Sequence, residues 1–271
     1  MLYLGGTIII FLILWAVFIP AGPVLQHLLA ALAKRTASFR YGDYAVVIAL
    51  LVAGLAVTAV AAHGFIDLAE EVQDQNPELK QFDAQIHRWA EFERSSGATT
   101  FFTITTNLGS PVGLAAIVAA VALPLLMKGR YRWAAYLLVT TGLGALLVVQ
   151  LKLYFARARP DLTVALRHAH GYSFPSGHAM GTTICCLALS YLALRTKTSW
   201  RVKAAALAAL TTFSLAVSFS RIYLGVHWIS DVAAGLAVGT LWVTITTVAY
   251  ETIRRIRMVR GIRAKRRAVA S

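Results

Sequence analysis

The chain has 271 residues, of which 58% are hydrophobic and 14% are charged, with a formal net charge of +14 and a mean hydropathy of +0.65. Soluble domains carry about 25% charged residues, so this composition excludes an ordinary soluble protein. The basic excess does not indicate a nucleic-acid binder, because such proteins present basic residues on a soluble domain with a recognisable motif, and the sequence contains none.

Long uncharged runs predict an all-α, polytopic transmembrane helix bundle with six core spans and an extra N-terminal span. Each run approaches the ~20 residues that cross a bilayer, without the alternating polarity of transmembrane strands. The extra span is Leu2–Ile19, for which a cleavable signal peptide is disfavoured because no basic residue precedes it. The core runs are Tyr44–His63, Pro111–Met127, Trp133–Leu151, Ala179–Leu194, Ala204–Ser220 and Ile229–Tyr250.

The chain is predicted to divide into an N-terminal hydrophobic segment with a cytoplasmic loop (1–43), a membrane domain (44–253) and a basic cytoplasmic tail (254–271). The longest polar insertion is Gly64–Thr100. Within it, Phe82–Phe92 has helical periodicity with Phe82, Ile86 and Trp89 on one face. This pattern predicts an amphipathic helix on the outer membrane surface, which either roofs the site or only covers the bundle.

The distribution of charge predicts the orientation of the bundle. If the loops Lys34–Asp43, Lys128–Arg132 and Arg195–Lys203 share one side with the tail after Tyr250, that side holds 18 of the 26 Lys and Arg residues. On the opposite side, the segment Asp67–Glu93 alone holds eight of the twelve acidic residues. The positive-inside rule makes the first side cytoplasmic.

Three cations lie at the ends of predicted spans on the opposite, non-cytoplasmic side. Lys152 and Arg159 flank the end of one span, and Arg221 closes another. Taken singly, each is typical of a snorkelling anchor at the bilayer surface. Together they indicate a site for a dianionic phosphate, because Arg grips two oxygens with its planar fork and Lys adds a point charge.

A second cluster, Pro175-Ser176-Gly177-His178, comes directly before the run Ala179–Leu194. Ser176 is suited to cap a helix, whose free N–H groups favour an anion. Gly177 allows close approach of the backbone, and His178 would project from the first turn. The competing interpretation is an ordinary helix start with an incidental histidine.

The third cluster pairs His227 with Asp231 at the start of the last span. Their spacing of four residues predicts that they stack on one helical face. A carboxylate there would fix the imidazole tautomer and leave the other ring nitrogen free as a nucleophile. A structural His–Asp cap is the alternative.

The remaining polar residues of the outer loop are interpreted as solvated: Arg157, Arg167, His168 and His170. The adjacent Cys185 and Cys186 lie inside a predicted span without metal-ligand spacing, so they are interpreted as packing residues.

These clusters together resemble the three-part signature of the type 2 phosphatidic acid phosphatase superfamily. This group includes membrane lipid phosphatases, glucose-6-phosphatase, bacterial acid phosphatases and vanadium haloperoxidases. The resemblance covers residues 152–231, and no motif position departs from the pattern. The matching motifs are Lys152-x6-Arg159-Pro160, Pro175-Ser176-Gly177-His178 and Ser220-Arg221-x5-His227-x3-Asp231.

The resemblance implies a role for each matched residue. His227 would attack phosphorus to form a phosphohistidine while Asp231 holds its ring, and His178 would protonate the leaving oxygen and then activate water. The phosphate oxygens would be bound by Lys152, Arg159, Ser176, Gly177 and Arg221. It implies no metal and no other cofactor, since the fixed cations take the place of Mg²⁺.

The expected function is hydrolysis of a lipid phosphate at the outer face of a bacterial inner membrane, with the bilayer and a phosphorylated lipid as partners and no nucleic acid. Undecaprenyl diphosphate, phosphatidylglycerophosphate, phosphatidic acid and a lipid A phosphate are all compatible substrates. A lipid phosphotransferase using the same phosphohistidine, a vanadate-dependent haloperoxidase and a non-enzymatic lipid-binding protein or transporter are the alternatives. The cytoplasmic C-terminus follows from the charge distribution.

Overall fold

The computed structural model describes residues 42–270 together with Pro23, Val24, His27 and Ala31. It describes side chains at those four residues, from residue 55 to 254, and at 256 and 257. The predicted span Leu2–Ile19 lies outside the described residues. Within residues 42–270 the secondary structure is helical, as predicted. The helices are α1 (Gly42–Gln73), α2 (Pro77–Phe92), α3 (Ser96–Leu108), α4 (Pro111–Met127), α5 (Tyr131–Phe155), α6 (Gly177–Leu194), α7 (Trp200–Tyr223) and α8 (Ile229–Ala270).

Four of the helices are long and apolar enough to cross a membrane: Tyr131–Phe155, Gly177–Leu194, Trp200–Tyr223 and Ile229–Arg254. They correspond to the last four predicted spans. Helices α3 and α4 form a fifth candidate together, with a bend of 56° between them. The predicted run Tyr44–His63 lies within α1, whose side chains are described only from residue 55. The protein is therefore an integral membrane protein, while the count of six core spans stays a prediction.

Helix α6 lies at the centre of the described bundle and packs against α4, α5, α7 and α8. Helix α1 packs on α8, and α2 lies across α7 and α8. Both cysteines of α6 are buried and free, so the interpretation of Cys185 and Cys186 as packing residues is confirmed.

Capping residues fix where helices α2, α3 and α4 begin. The Asn76 side chain accepts from the N–H groups of Glu78 and Leu79, and Pro77 occupies the first helical turn of α2. Ser95 and Ser110 cap α3 and α4 in the same way. Each cap satisfies backbone donors that the helix leaves unpaired, and its loss typically costs about 1 kcal/mol.

The polar insertion predicted at Gly64–Thr100 is largely helical in the structure. Helix α1 continues past His63 to Gln73, and α3 forms a further helix that the sequence analysis missed. The helical prediction for Phe82–Phe92 is confirmed, and the three residues predicted to share one face differ in their burial. Ile86 packs on the bundle, whereas Phe82 and Trp89 stay 50% and 49% exposed. The buried side chains of α2 are Asp83 and Ala90.

Two glycines allow α8 to approach α6 closely. A Cβ on Gly235 would lie 2.8 Å from the carbonyl oxygen of Ser176, and one on Gly239 would lie 2.9 Å from Cβ of Thr183. These residues form a G-x-x-x-G stripe, the arrangement that lets membrane helices pack backbone to backbone. The close crossing brings the start of α6 next to the start of α8.

Replacing Gly235 with alanine is expected to force these two helices apart, because the new methyl group would meet backbone rather than a movable side chain. Overpacking of this kind costs about 1–3 kcal/mol, so the melting temperature in detergent should fall clearly. The matched control is Gly142→Ala in α5, where an added Cβ meets nothing within 4 Å. Equal melting temperatures for the two variants would show that the crossing is not tight.

Candidate active site

The three sequence clusters meet at one end of the bundle. Lys152 lies in the last turn of α5 and Arg221 in the last turn of α7. Ser176 precedes α6, and Asp231 lies in the first turn of α8. The backbone N–H of Ser176 donates to the carbonyl oxygen of Asp231 at 2.9 Å, which ties the start of α6 directly to the start of α8.

His227 and Asp231 form the predicted pair, but not on one helical face. His227 lies in the loop before α8, and its Nδ1 lies 3.2 Å from Asp231 Oδ2. The same carboxylate oxygen accepts from the backbone N–H of Trp228 at 3.0 Å. As the third residue of α8, Asp231 reaches back to cap the helix and holds the imidazole with the same group. The explanation by helical stacking was therefore wrong, although the contact itself is present.

Arg159 identifies which nitrogen of His227 carries the lone pair. Its Nη1 lies 3.2 Å from Nε2 of His227, and a guanidinium can only donate. Nε2 is therefore the acceptor, and Nδ1 carries the proton that is donated to Asp231. This tautomer leaves the lone pair on Nε2, which faces the guanidinium of Arg159.

The other donors of Arg159 are held by the loop between α5 and α6. Nε donates to the carbonyl of Gly171 at 2.9 Å, and Nη1 also donates to that of Val226 at 2.7 Å. Nη2 donates to the carbonyls of His170 and Tyr172 at 3.1 Å and 3.2 Å. These contacts orient the guanidinium plane beside the imidazole.

Lys152 and Arg221 bring two further positive charges to the same place. Lys152 Nζ donates to the carbonyls of Tyr172 and Ser173 at 2.5 Å and 3.1 Å. Arg221 is buried, and its Nη1 donates to Thr106 Oγ1 at 2.6 Å. Its Nε is a buried donor without a hydrogen-bond partner among the described residues. Because such a donor is costly to leave unpaired, it indicates a place for an acceptor such as a phosphate oxygen.

The start of α6 has the predicted capping geometry. Ser176 is buried, and its Oγ accepts from the N–H of Ala179 at 3.5 Å. A Cβ on Gly177 would lie 3.6 Å from Cε of Lys152, so the lysine stem packs directly on this glycine. His178, in the first turn, interacts electrostatically with Arg221, His227, Arg159 and Lys152. The structure thus brings all eight predicted site residues into one region.

Burial and positive charge keep the nucleophile candidate neutral. Burial holds the pKa of His227 well below its ordinary value, and the nearby charges of Arg221, Arg159 and Lys152 lower the pKa further. An uncharged ring keeps the lone pair on Nε2. The site therefore combines a neutral imidazole with a cluster of fixed cations.

The sequence analysis missed two functional candidates, Arg157 and Asp83. Arg157, interpreted there as a solvated loop residue, has a side chain only 11% exposed and bridges Asp83 and Asp231. That interpretation was wrong because α2 brings a buried carboxylate to meet it. Arg167 also has a protein partner, since its Nη2 donates to Asn107 Oδ1 at 2.8 Å. His168 and His170 are exposed, as interpreted.

A cavity of about 320 Å³ lies beside the cationic cluster. The end of α1, the beginning of α2, Trp228 and residues 157–159 line it, so it shares Arg159 with the cluster. Among the described residues, no group of three His, Cys, Asp or Glu side chains is arranged to hold a metal ion. The arrangement of charges suits an anion.

Comparisons with known proteins match the part of the chain that forms this site. Residues 133–255 match the model of the PAP2 superfamily, a range that contains all eight predicted site residues. Phosphatidylglycerophosphatase B of Bacillus subtilis is 27% identical over 186 residues, which cover 66% of this chain and 88% of the relative. A lipid A 1-phosphatase of Porphyromonas gingivalis is 34% identical over 55% of this chain, but over only 31% of its own length.

The fold is shared with a solved structure. The crystal structure of a transmembrane PAP2 type phosphatidylglycerolphosphate phosphatase from Bacillus subtilis superposes with a TM-score of 0.67 at 24% sequence identity. The match covers 72% of this chain and 96% of that one. At this level of identity the likeness shows the fold alone. Over residues 133–255, the part that holds the site, this chain matches the PAP2 superfamily.

Proposed function

We propose that this protein is an integral membrane phosphatase that hydrolyses a phosphate monoester or diphosphate of a lipid through a phosphohistidine. One observation carries the proposal: the imidazole of His227 is held between Asp231 at Nδ1 and Arg159 at Nε2, each at 3.2 Å. A neutral, oriented imidazole beside fixed cations is suited to in-line attack on a phosphoryl group, because phosphoryl transfer depends mostly on positioning and charge stabilisation.

In the first step, Nε2 of His227 bonds to phosphorus and the bond from phosphorus to the oxygen of the leaving group breaks. His178, which is protonated when the bound phosphate anion offsets the surrounding cations, donates its proton to the departing oxygen, so that the lipid leaves as an alcohol or a lipid monophosphate. Lys152, Arg159 and Arg221 neutralise the oxygens of the transferred group, with help from the Ser176 hydroxyl and the Gly177 N–H. Asp231 compensates the positive charge that the phosphorylated imidazole acquires.

In the second step, a water molecule attacks the phosphohistidine. His178, now without its proton, removes one from the water, and the bond between phosphorus and Nε2 breaks. The products are inorganic phosphate, neutral His227 and protonated His178. Both histidines thereby return to their starting states.

The site is expected to face the periplasm or outside, with the C-terminus in the cytoplasm. The support is the concentration of Lys and Arg in the opposite loops and tail. Placement at the membrane surface suits a substrate whose acyl or prenyl chains remain in the bilayer. The names of the relatives, which include a phosphatidylglycerophosphatase and a lipid A 1-phosphatase, support a lipid phosphate as substrate.

The purified protein is expected to release inorganic phosphate from at least one lipid phosphate, with equal rates in EDTA and in Mg²⁺. The physical reason is that three side-chain cations already neutralise the negative charge of the phosphate, which a metal ion would otherwise do. The measurement is phosphate release over phosphatidylglycerophosphate, undecaprenyl diphosphate, phosphatidic acid and a lipid A phosphate.

Other outcomes of the same assay separate the alternatives. Activity lost in EDTA and restored by Mg²⁺ would contradict the metal-free mechanism. Turnover that moves phosphate to an added acceptor alcohol instead of water would identify a phosphotransferase. Bromination with peroxide and vanadate, without phosphate release, would identify a haloperoxidase.

A further inference from the structure

Arg157 forms a bridge between two buried carboxylates. Its Nη1 donates to Asp231 Oδ1 at 2.6 Å, and its Nη2 donates to Asp83 Oδ2 at 2.7 Å. The exposed fractions of the side chains are 11% for Arg157, 1% for Asp83 and 0% for Asp231. Charged groups buried to this extent need complete pairing, and each of these has it.

Ser230 completes the bridge. Its hydroxyl accepts from Arg157 Nη1 at 2.7 Å and donates to Asp83 Oδ2 at 2.6 Å. Its backbone N–H donates to Asp83 Oδ1 at 3.1 Å. The carboxylate of Asp83, which comes from α2, is therefore fixed on both oxygens by residues next to the site.

The two oxygens of Asp231 have separate partners, His227 on Oδ2 and Arg157 on Oδ1. Two carboxylates and one guanidinium carry one net negative charge. That charge faces the imidazole, which becomes cationic when it is phosphorylated. If Arg157 had no second carboxylate, it would neutralise Asp231 and weaken its stabilisation of the imidazolium.

We propose that Asp83 and Arg157 are positioning residues that act on His227 through Asp231. Asp83 holds the guanidinium so that Asp231 keeps both its orientation and its negative charge for the phosphorylated imidazole. The proposal rests on the proposed function, since it assigns these residues to the same phosphohistidine reaction. It also makes helix α2 part of the active site instead of a cover on the bundle.

A different role for Arg157 has a distinct kinetic signature. Asp83 and Arg157 both line the 320 Å³ cavity, so Arg157 would bind substrate directly if the lipid headgroup entered there. A residue that binds substrate equally in the ground state and the transition state changes KM. A residue that supports only the phosphorylated imidazole changes kcat.

The test is a double-mutant cycle in the full-length protein, with kcat, KM and melting temperature measured for each variant on the best lipid phosphate. Asp83→Asn keeps the shape of the side chain and removes its charge. It is expected to lower kcat by about 10-fold to 100-fold, the usual effect of losing a group that orients a catalytic one. KM should stay within about twofold, because uniform substrate binding is not affected.

The double variant Asp83→Asn with Arg157→Gln is the decisive comparison. Without the charges of Asp83 and Arg157, the full negative charge of Asp231 again acts on the imidazole of His227. The kcat of the double variant should therefore recover above that of Asp83→Asn alone. A purely structural role predicts the opposite, with the double variant no better than either single variant. An unchanged kcat in Asp83→Asn, an effect on KM alone, or no recovery in the double variant would each overturn the proposal.

Failure of the proposed function is distinguishable from failure of this inference. If the wild-type protein releases no phosphate from any lipid phosphate, the proposed function fails and the positioning role fails with it. If the wild-type protein is active and the cycle shows none of the expected pattern, only the positioning role fails. The matched control is Asp161→Asn, which changes an exposed acid in the loop between α5 and α6 and should leave kcat unchanged.

Discussion

With His227 replaced by alanine, phosphate release from a lipid phosphate is expected to fall by at least about 10⁴-fold, the scale seen when a catalytic nucleophile is removed. Nε2 of this ring is the nucleophile in the proposed reaction, and no covalent intermediate can form without it. The loss should appear in kcat, because Lys152, Arg159 and Arg221 remain to bind the phosphate. The measurement is single-turnover phosphate release with the purified variant.

The folded state should survive this change. Asp231 keeps its hydrogen bonds from Arg157 and from the Trp228 N–H, so no buried carboxylate is left unpaired. The lost hydrogen bond and contacts cost about 1–3 kcal/mol of stability, which a melting curve in detergent will show. The matched control is His168→Ala, an exposed histidine in the loop between α5 and α6. Turnover of the His227 variant at the level of this control would remove His227 as the nucleophile.

The sequence predicted those features of the site that depend on short stretches of chain. Each motif falls at the junction of an apolar run and a polar loop, and helix ends must lie at such junctions. Ser176 could be predicted as a cap because capping depends on the residues immediately after it. The His227 and Asp231 pair was predicted from its spacing, although a loop residue and a capping carboxylate form it instead of one helical face.

The features that the sequence could not predict depend on contacts between distant parts of the chain. Arg157 and Asp83 are separated by 74 positions, and their pairing exists only because α2 packs against the end of α7 and the start of α8. Periodicity placed Phe82, Ile86 and Trp89 on one face of α2, but it gave no sign that the neighbouring Asp83 is buried. A buried charge on an amphipathic helix is costly unless it is paired, so hydrophobic pattern alone could not predict it.

Replacing His178 with glutamine is expected to slow hydrolysis of a lipid phosphate by about 10²-fold to 10⁴-fold, the range for loss of a general acid. The effect should depend on the leaving group. An alkoxide needs a proton as it departs, whereas p-nitrophenolate leaves readily without one. Attack by His227 on p-nitrophenyl phosphate should therefore be much less affected than attack on the lipid.

The rate of the second step does not depend on the leaving group, because the attacking water needs a base whichever group has left. In the His178 variant the phosphohistidine should therefore accumulate. A burst of p-nitrophenolate equal to the amount of enzyme, followed by slow turnover, would report it, together with an acid-labile phosphate on the protein. Equal slowing for both leaving groups without a burst would contradict proton donation by His178 and leave the histidine a role in binding. The two histidines thus give opposite results with one substrate: the His227 variant should form no phosphoenzyme, and the His178 variant should retain it.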